Sequence, residues 1–234
     1  MPSIGALADL IARTGIPVLF LDTCNFLDII RLAISERFRP GEAQAAKELS
    51  NLISASPPSC LLVASSIINR EWNDNLPNVR KAATDHLAGL ERESGHFHEA
   101  CETLGIAGRA GRTGYSSSGL TETLCELSKK LFDNAVHLDA DRESRVRATF
   151  RVEEKRPPAL ESKEIKDCIV IEEYLAVCEA LRSGGYSGKL VFCTTNKKDY
   201  CIGSALDGQL AKEFGEVGLK FAKNLQHALH EMTH

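Results

Sequence analysis

The chain has no apolar run long enough to span a bilayer, and its N-terminal stretch, interrupted by Asp9 and Arg13, lacks the basic segment and apolar core of a signal peptide. A cytoplasmic protein without a membrane anchor is expected. Excess positive charge is also missing. With 28 Lys and Arg against 32 Asp and Glu, the formal charge is −4, so no global field gathers a polyanion. A nucleic acid would need a local basic patch, or metal ions seated on carboxylates. The eight cysteines include no C-x-x-C pair and no accompanying His spacing, which disfavours zinc. Cys60, Cys168 and Cys193 stand beside the apolar runs LLV, IVI and LVF, where a thiol behaves as a small hydrophobe, a usage that suits a reducing cytosol. A P-loop is missing too. The segment GIAGRAGRTGYSSSG at 105–119 carries glycines with Arg109 and Arg112, but no strand precedes it and no Lys-Ser or Lys-Thr follows, so it reads as a loop.

What is present is an ordinary globular composition, 43% hydrophobic and 26% charged over 234 residues, sufficient for one well-buried core. IPVLFLDTCNFLD opens with a strand at 17–21 whose lack of alternation fits the centre of a parallel sheet. A short helix at 3–13 precedes it, and helices at about 25–35 and 42–54 follow. Cys60–Ala64 is a second apolar strand, followed by a helix with Ser65 or Ser66 as cap and Glu71 on it. Residues 78–102 are helical with a weak point at Gly95, and 120–134 form another helix. A short strand falls within 136–141. The tract 142–156 is the most basic, closed by Pro157 and Pro158. Its arginines fit either a solvated helix face or contacts to an RNA backbone; Arg151 and Arg156 within it and Lys163 beyond it are the candidates for such contacts. The helix CIVIEEYLAVCEAL, a strand at 189–193, a helix at 205–214, a strand at 217–221 and a terminal helix complete the chain. This alternation predicts an α/β protein, a three-layer α/β/α sandwich around a mostly parallel sheet.

Four acids stand where such a fold can gather them: Asp22 after the first strand, Glu71 on the helix after the second, Asp167 at a helix start, and Asp199 after a late strand. The crevice beyond the carboxyl ends of parallel strands is the usual ligand site. Four clustered carboxylates repel unless cations neutralise them, and oxygen ligands select Mg²⁺ or Mn²⁺, ions suited to phosphodiester hydrolysis. Each acid also has a structural reading. Asp22 and Asp199 suit helix caps, Asp167 suits the positive end of a helix dipole, and Glu71 suits an exposed helix face.

VLFLDTCNFLD, the helix carrying Glu71, ESKEIKDCIVIEEYL and LVFCTTNKKDY together resemble the PIN-domain family of metal-dependent ribonucleases, which includes many toxins of toxin–antitoxin pairs and RNA-processing nucleases. The resemblance covers roughly the first and last 75 residues. It implies a single domain over 1–234 with a helical and loop insertion at about 78–160. It also implies an endoribonuclease cutting single-stranded RNA to 5′-phosphate and 3′-hydroxyl products. Asp22, Glu71, Asp167 and Asp199 would be its metal-binding and catalytic acids, with Thr23, Asn25, Glu164, Thr195 and Asn196 as supporting groups. An antitoxin or other protein partner and a homodimer are further implications. Cys24 departs from the family pattern, which often places Asn or Ser two residues after the first Asp; here Asn25 comes one position later. Two other readings stay open: a catalytically silent PIN-like module that binds RNA or protein, and a phosphoryl-transfer domain with Asp22 as nucleophile. For the latter, the second acid two residues on is replaced by Cys24, and Lys197 is a loose fit for a late lysine.

Overall fold

The computed structural model describes residues 2–34, 39–106, 114–159 and 165–234. In chain order these form α1 (Ile4–Ala12), β1 (Val18–Leu21), α2 (Thr23–Arg31), α3 (Pro40–Ser54), β2 (Leu61–Ala64), α4 (Ile68–Thr103), α5 (Leu120–Asp133), β3 (Val136–His137), α6 (Arg142–Glu153) and α7 (Ile165–Ser183). Then follow β4 (Leu190–Cys193), the short α8 (Lys197–Tyr200), β5 (Cys201–Ile202), β6 (Ala205–Leu206), α9 (Gly208–Val217), β7 (Leu219–Ala222) and α10 (Leu225–Thr233).

The expected architecture is present: a five-stranded, wholly parallel sheet in the order β3-β2-β1-β4-β7, with helices on both faces. β1 and β4 lie side by side at its centre, Phe20 opposite Phe192, and every residue of both strands is buried. That double burial is why VLFL and LVFC show no polar alternation. One helical layer is α7 with α1, α6 and α9 packed on it; the other joins α2, α3, α4, α5 and α10. Towards α7, Phe20 and Phe192 meet Tyr174 at 4.9 and 5.8 Å between ring centroids, and Phe192 also meets Tyr200 and Phe214. On the opposite side Trp72 stacks on Phe132 at 4.2 Å and Phe26 meets the same ring edge-on. Burying each such ring stabilises the fold by roughly 2–3 kcal/mol. The stretch 78–160 supplies the edge strand β3 together with α5 and α6, which join opposite layers.

Three expectations change. The helix begun near Glu71 and the one expected at 78–102 are a single 36-residue helix, α4, with Pro77 inside it. Pro77 forfeits one backbone hydrogen bond, but Trp72 before it and Val79 and Ala83 after it are buried and hold the two sides in line. Ser65 and Ser66 direct their hydroxyls to Glu173 of α7. The residues before Gly208 form a two-stranded hairpin, β5–β6, and α9 starts only at Gly208, where Asp207 accepts from the Gln209 N–H at 2.8 Å.

Arg151 corrects the reading of the basic tract. It is 1% exposed and donates to Glu172 Oε1 at 2.7 Å, to Glu213 Oε2 at 2.8 Å and to the Pro157 carbonyl at 2.6 Å. It ties α6 to α7 and α9 and offers no surface to RNA. Arg156 is partly exposed and paired with Glu154 and Glu213. Lys163, Arg109 and Arg112 lie outside the described residues. Among the described residues, no helix is long and apolar enough to cross a membrane.

Candidate functional site at the carboxyl edge of the sheet

The chain runs from β1 outward through β2 to β3, then crosses over through α6 and α7 to β4 on the other side of β1 and out to β7. The order therefore reverses between β1 and β4, and the crevice beyond their carboxyl ends is the topological switch point, the favoured ligand position in open parallel sheets. Asp22 follows β1 there and Thr194 follows β4. The Thr194 hydroxyl donates to Asp22 Oδ2 at 2.8 Å, closing the two strand ends over each other.

Asp22 is both cap and buried acid, 4% exposed. Its Oδ1 accepts from the Thr23 N–H at 2.7 Å at the start of α2. Its Oδ2 takes the Thr194 hydroxyl and the Cys24 thiol, the latter at 3.3 Å. Asn25 completes a capping box: its Oδ1 accepts from the Asp22 N–H at 3.3 Å, while its Nδ2 donates to Cys193 Sγ. Asn25 thus serves the backbone of the helix start, and the thiol of Cys24 takes up a contact to the acid. Burial pushes the Asp22 carboxyl above its ordinary value; the hydrogen bonds from Thr194, Cys24 and Thr23 oppose that, and the negative charge of Glu71 adds to it.

Glu71, in the first turn of α4, is brought to Asp22 through Thr23. The Thr23 hydroxyl donates to Glu71 Oε2 at 2.7 Å while the Thr23 amide holds Asp22. The other Glu71 oxygen pairs with Lys166 Nζ at 3.2 Å, which places the first turn of α7 at the same edge. Asp167 follows Lys166 and is partly exposed. Asp199, in α8, accepts from Asn196 Nδ2 at 2.7 Å, and the Asn196 amide donates to Thr194 Oγ1 at 3.0 Å. Thr195 turns away from Asp199 and donates to Asp28 Oδ2 at 2.5 Å. Glu164 lies outside the described residues.

The structure therefore links Asp22, Thr23, Glu71 and Thr194 directly, and reaches Asp199 one step further through Asn196. Among the described residues, no three Asp, Glu, His or Cys side chains stand together in a group that holds a metal ion. The donor chemistry nonetheless fits a hard divalent cation: carboxylate and hydroxyl oxygens, and a buried acid whose charge is uncompensated by any direct cationic partner among the described residues. A second fitting feature is Tyr200, wholly buried, whose hydroxyl has no hydrogen-bond partner among the described residues. Its phenol is pushed well above the ordinary value by burial first, then by the charges of Asp22 and Asp167, which both act on this one ring.

Sequence reasoning missed Glu173 and Tyr174. Glu173 is wholly buried and accepts from the Ser65 hydroxyl at 2.7 Å, the Ser66 amide at 2.8 Å and the Ser66 hydroxyl at 2.6 Å. The Tyr174 hydroxyl donates to the Leu21 carbonyl at 2.6 Å and accepts from the Ser65 amide at 3.0 Å. Together they pin the ends of β1 and β2, from which Asp22 and Glu71 depart. The signal in the sequence was a Glu-Glu pair inside an otherwise apolar helix, IVIEEYL.

Comparison with protein-family models, with curated proteins and with solved structures returned no match.

Proposed function

We propose that the chain is a Mg²⁺- or Mn²⁺-dependent endoribonuclease of the PIN type that hydrolyses single-stranded RNA. The observation that carries the reading is Asp22: a buried carboxylate at the switch point of a parallel sheet, fixed on both oxygens, with a second acid one threonine away. Asp22, Glu71, Asp167 and Asp199 would hold the cation. Bound there, a divalent ion supplies Lewis acidity and a water acidic enough to ionise near neutral pH. Thr194 and the Thr23 amide hold the Asp22 carboxylate in one orientation, the Thr23 hydroxyl does the same for Glu71, and Asn196 does so for Asp199. These partners fix the orientation of each acid, and gathering the acids on one ion would require movement from the dispersed placement seen here. Lys166, at Glu71, would be displaced by the ion or would remain to meet a phosphate.

A silent PIN-like binding module is the second reading. It is favoured by Lys166 already neutralising Glu71 and by the dispersed placement of the acids. One experiment separates the two. Labelled single-stranded RNA is incubated with the protein in Mn²⁺ or EDTA, beside Asp22→Asn, with Mn²⁺ binding followed by calorimetry. Cleavage requiring both metal and Asp22 supports the nuclease; absence of both cleavage and metal binding leaves the silent module.

A further inference from the structure

A cavity of about 250 Å³ lies beside the acids on the α2 side of the sheet edge. Its walls come from four places in the chain: Asn25, Asp28, Ile29 and Leu32 of α2 and the turn after it, Arg39 and Glu42 at the start of α3, Thr195 after β4, and Asn224–Leu225 at the start of α10. One of these walls is shared with the acid site: Asn25 caps the Asp22 amide, while Thr195 follows Thr194, which binds the Asp22 carboxylate, and turns its own hydroxyl to Asp28. The cavity therefore adjoins the Asp22 cap through Asn25.

The chemistry of the lining is that of a nucleotide pocket. Ile29, Leu32 and Leu225 give an apolar surface of the kind a base covers, and the volume falls just below the roughly 300–1,000 Å³ of drug-sized ligand pockets, a scale suited to one nucleotide unit. Both acids in the lining are spent. Asp28 accepts from Thr195 at 2.5 Å and from Arg31 at 2.8 Å, and the two Glu42 oxygens take the Leu225 and Gln226 amides at the start of α10. The arginines are not spent to the same degree. Arg31 is exposed with one partner, and Arg39 is exposed with no ion pair among the described residues. Asn224 uses its carbonyl oxygen on the His227 amide, and its Nδ2 makes no hydrogen bond among the described residues, leaving a donor for a base edge. The net result is an apolar floor with an amide donor and two arginines at the rim whose formal charge balances that of Asp28 and Glu42, next to a site proposed to cut a phosphodiester.

We infer that this cavity seats one nucleotide of a single-stranded nucleic acid, base on the Ile29–Leu32–Leu225 floor and phosphate at Arg31 and Arg39, adjacent to the bond presented to Asp22. The placement relative to the scissile bond rests on the nuclease reading; the nucleotide binding does not. Apolar contact with the face of the base and charge-assisted contacts to phosphate supply such binding without sequence readout.

The test uses the full chain carrying Asp22→Asn, without divalent metal, titrated with uridine and adenosine 5′-monophosphates and separately with inorganic phosphate, followed by calorimetry and by amide NMR shifts at Thr195 and Asn224. Saturable nucleotide binding is expected, weakened about tenfold by Arg39→Ala, the loss of one phosphate contact, and abolished by Leu32→Trp, which fills the floor. Arg39 is exposed, so an unchanged melting temperature is the control for folding in that variant. Inorganic phosphate binding as tightly as the nucleotides, no saturable binding of either nucleotide, or binding indifferent to both substitutions overturns the inference. Cleavage of RNA by the wild type without nucleotide binding sinks the pocket alone; nucleotide binding with no cleavage supports the pocket and sinks the nuclease.

Discussion

Replacing Arg151 by Met should cost stability and leave RNA affinity untouched. Met keeps most of the aliphatic volume, so the loss is electrostatic. The substitution strips Glu172 of the donor at 2.7 Å, Glu213 of the one at 2.8 Å and the Pro157 carbonyl of the one at 2.6 Å, at a position only 1% exposed. Removing one partner of a buried ion pair costs about 3–5 kcal/mol, because the charge left behind keeps its desolvation penalty. Here Arg147 still reaches Glu172 at 3.0 Å and Arg156 still lies 3.6 Å from Glu213, so the lower end, about 3 kcal/mol, is expected. For a chain of this size that is a fall in melting temperature of about 6–12 °C. Urea unfolding gives the free energy directly, and adding Glu213→Gln should recover part of the loss, since it neutralises the acid left with no arginine closer than Arg156 at 3.6 Å. A variant within about 0.5 kcal/mol of wild type, or one with intact stability and weakened RNA binding, would refute the structural assignment of Arg151 and restore it to the surface.

Because burial raises the Asp22 carboxyl above its ordinary 3.8, the folded state binds its proton more tightly than the unfolded state does. The associated stability is fully present below 3.8 and is lost as pH rises through the raised value, so metal-free Asp22→Asn should be at least as stable as wild type at pH 7 and lose that relative advantage toward pH 3; urea midpoints across that range decide it. Glu173→Ala leaves three donors of the Ser65–Ser66 turn without their acceptor. A loss of about 2–4 kcal/mol in urea unfolding is expected, and a loss under 1 would contradict the pinning role. Lys166→Gln removes a half-exposed pair, which should change stability by less than about 1 kcal/mol while tightening Mn²⁺ binding severalfold by calorimetry; unchanged or weaker binding would remove Glu71 from the proposed site.

The central strands were legible because VLFL and LVFC are buried on both faces and their patterns say so without reference to any partner. Asp22 was legible for the same reason: a charge at the tip of a buried strand has few places to go. What escaped depends on partners far away in the chain. Arg151 looks like its neighbours in a basic tract until Glu172 and Glu213 come to it from α7 and α9. Glu173 and Tyr174 look like helix residues until the strand ends they grip are placed beside them. The helix carrying Glu71 and the one at 78–102 read as two because the anchoring of Trp72 on Phe132 of α5 is a tertiary fact, and the β5–β6 hairpin, two residues to a strand with Gly203 at φ +62°, is too short for any periodicity. The site was thus partly readable. Its acids carry a sequence signature, whereas the hydroxyls and amides that hold them, Thr194 above all, become meaningful only once β1 and β4 lie together.

The long helix α4 holds one more consequence. At 1.5 Å per residue it extends about 54 Å, yet its fully buried positions run only from Ile68 to Leu87. Among the described residues its second half is held more lightly, through half-buried positions and the bond from the Ser116 amide to Glu91. Glu71, at the anchored root, is separated from bending toward the far end by the clamped turns between them. Amide exchange should grade from slow at the root to fast at the tip within one uninterrupted element, and the arm's length is a parameter that evolution or an engineer can vary without disturbing the acids at its base.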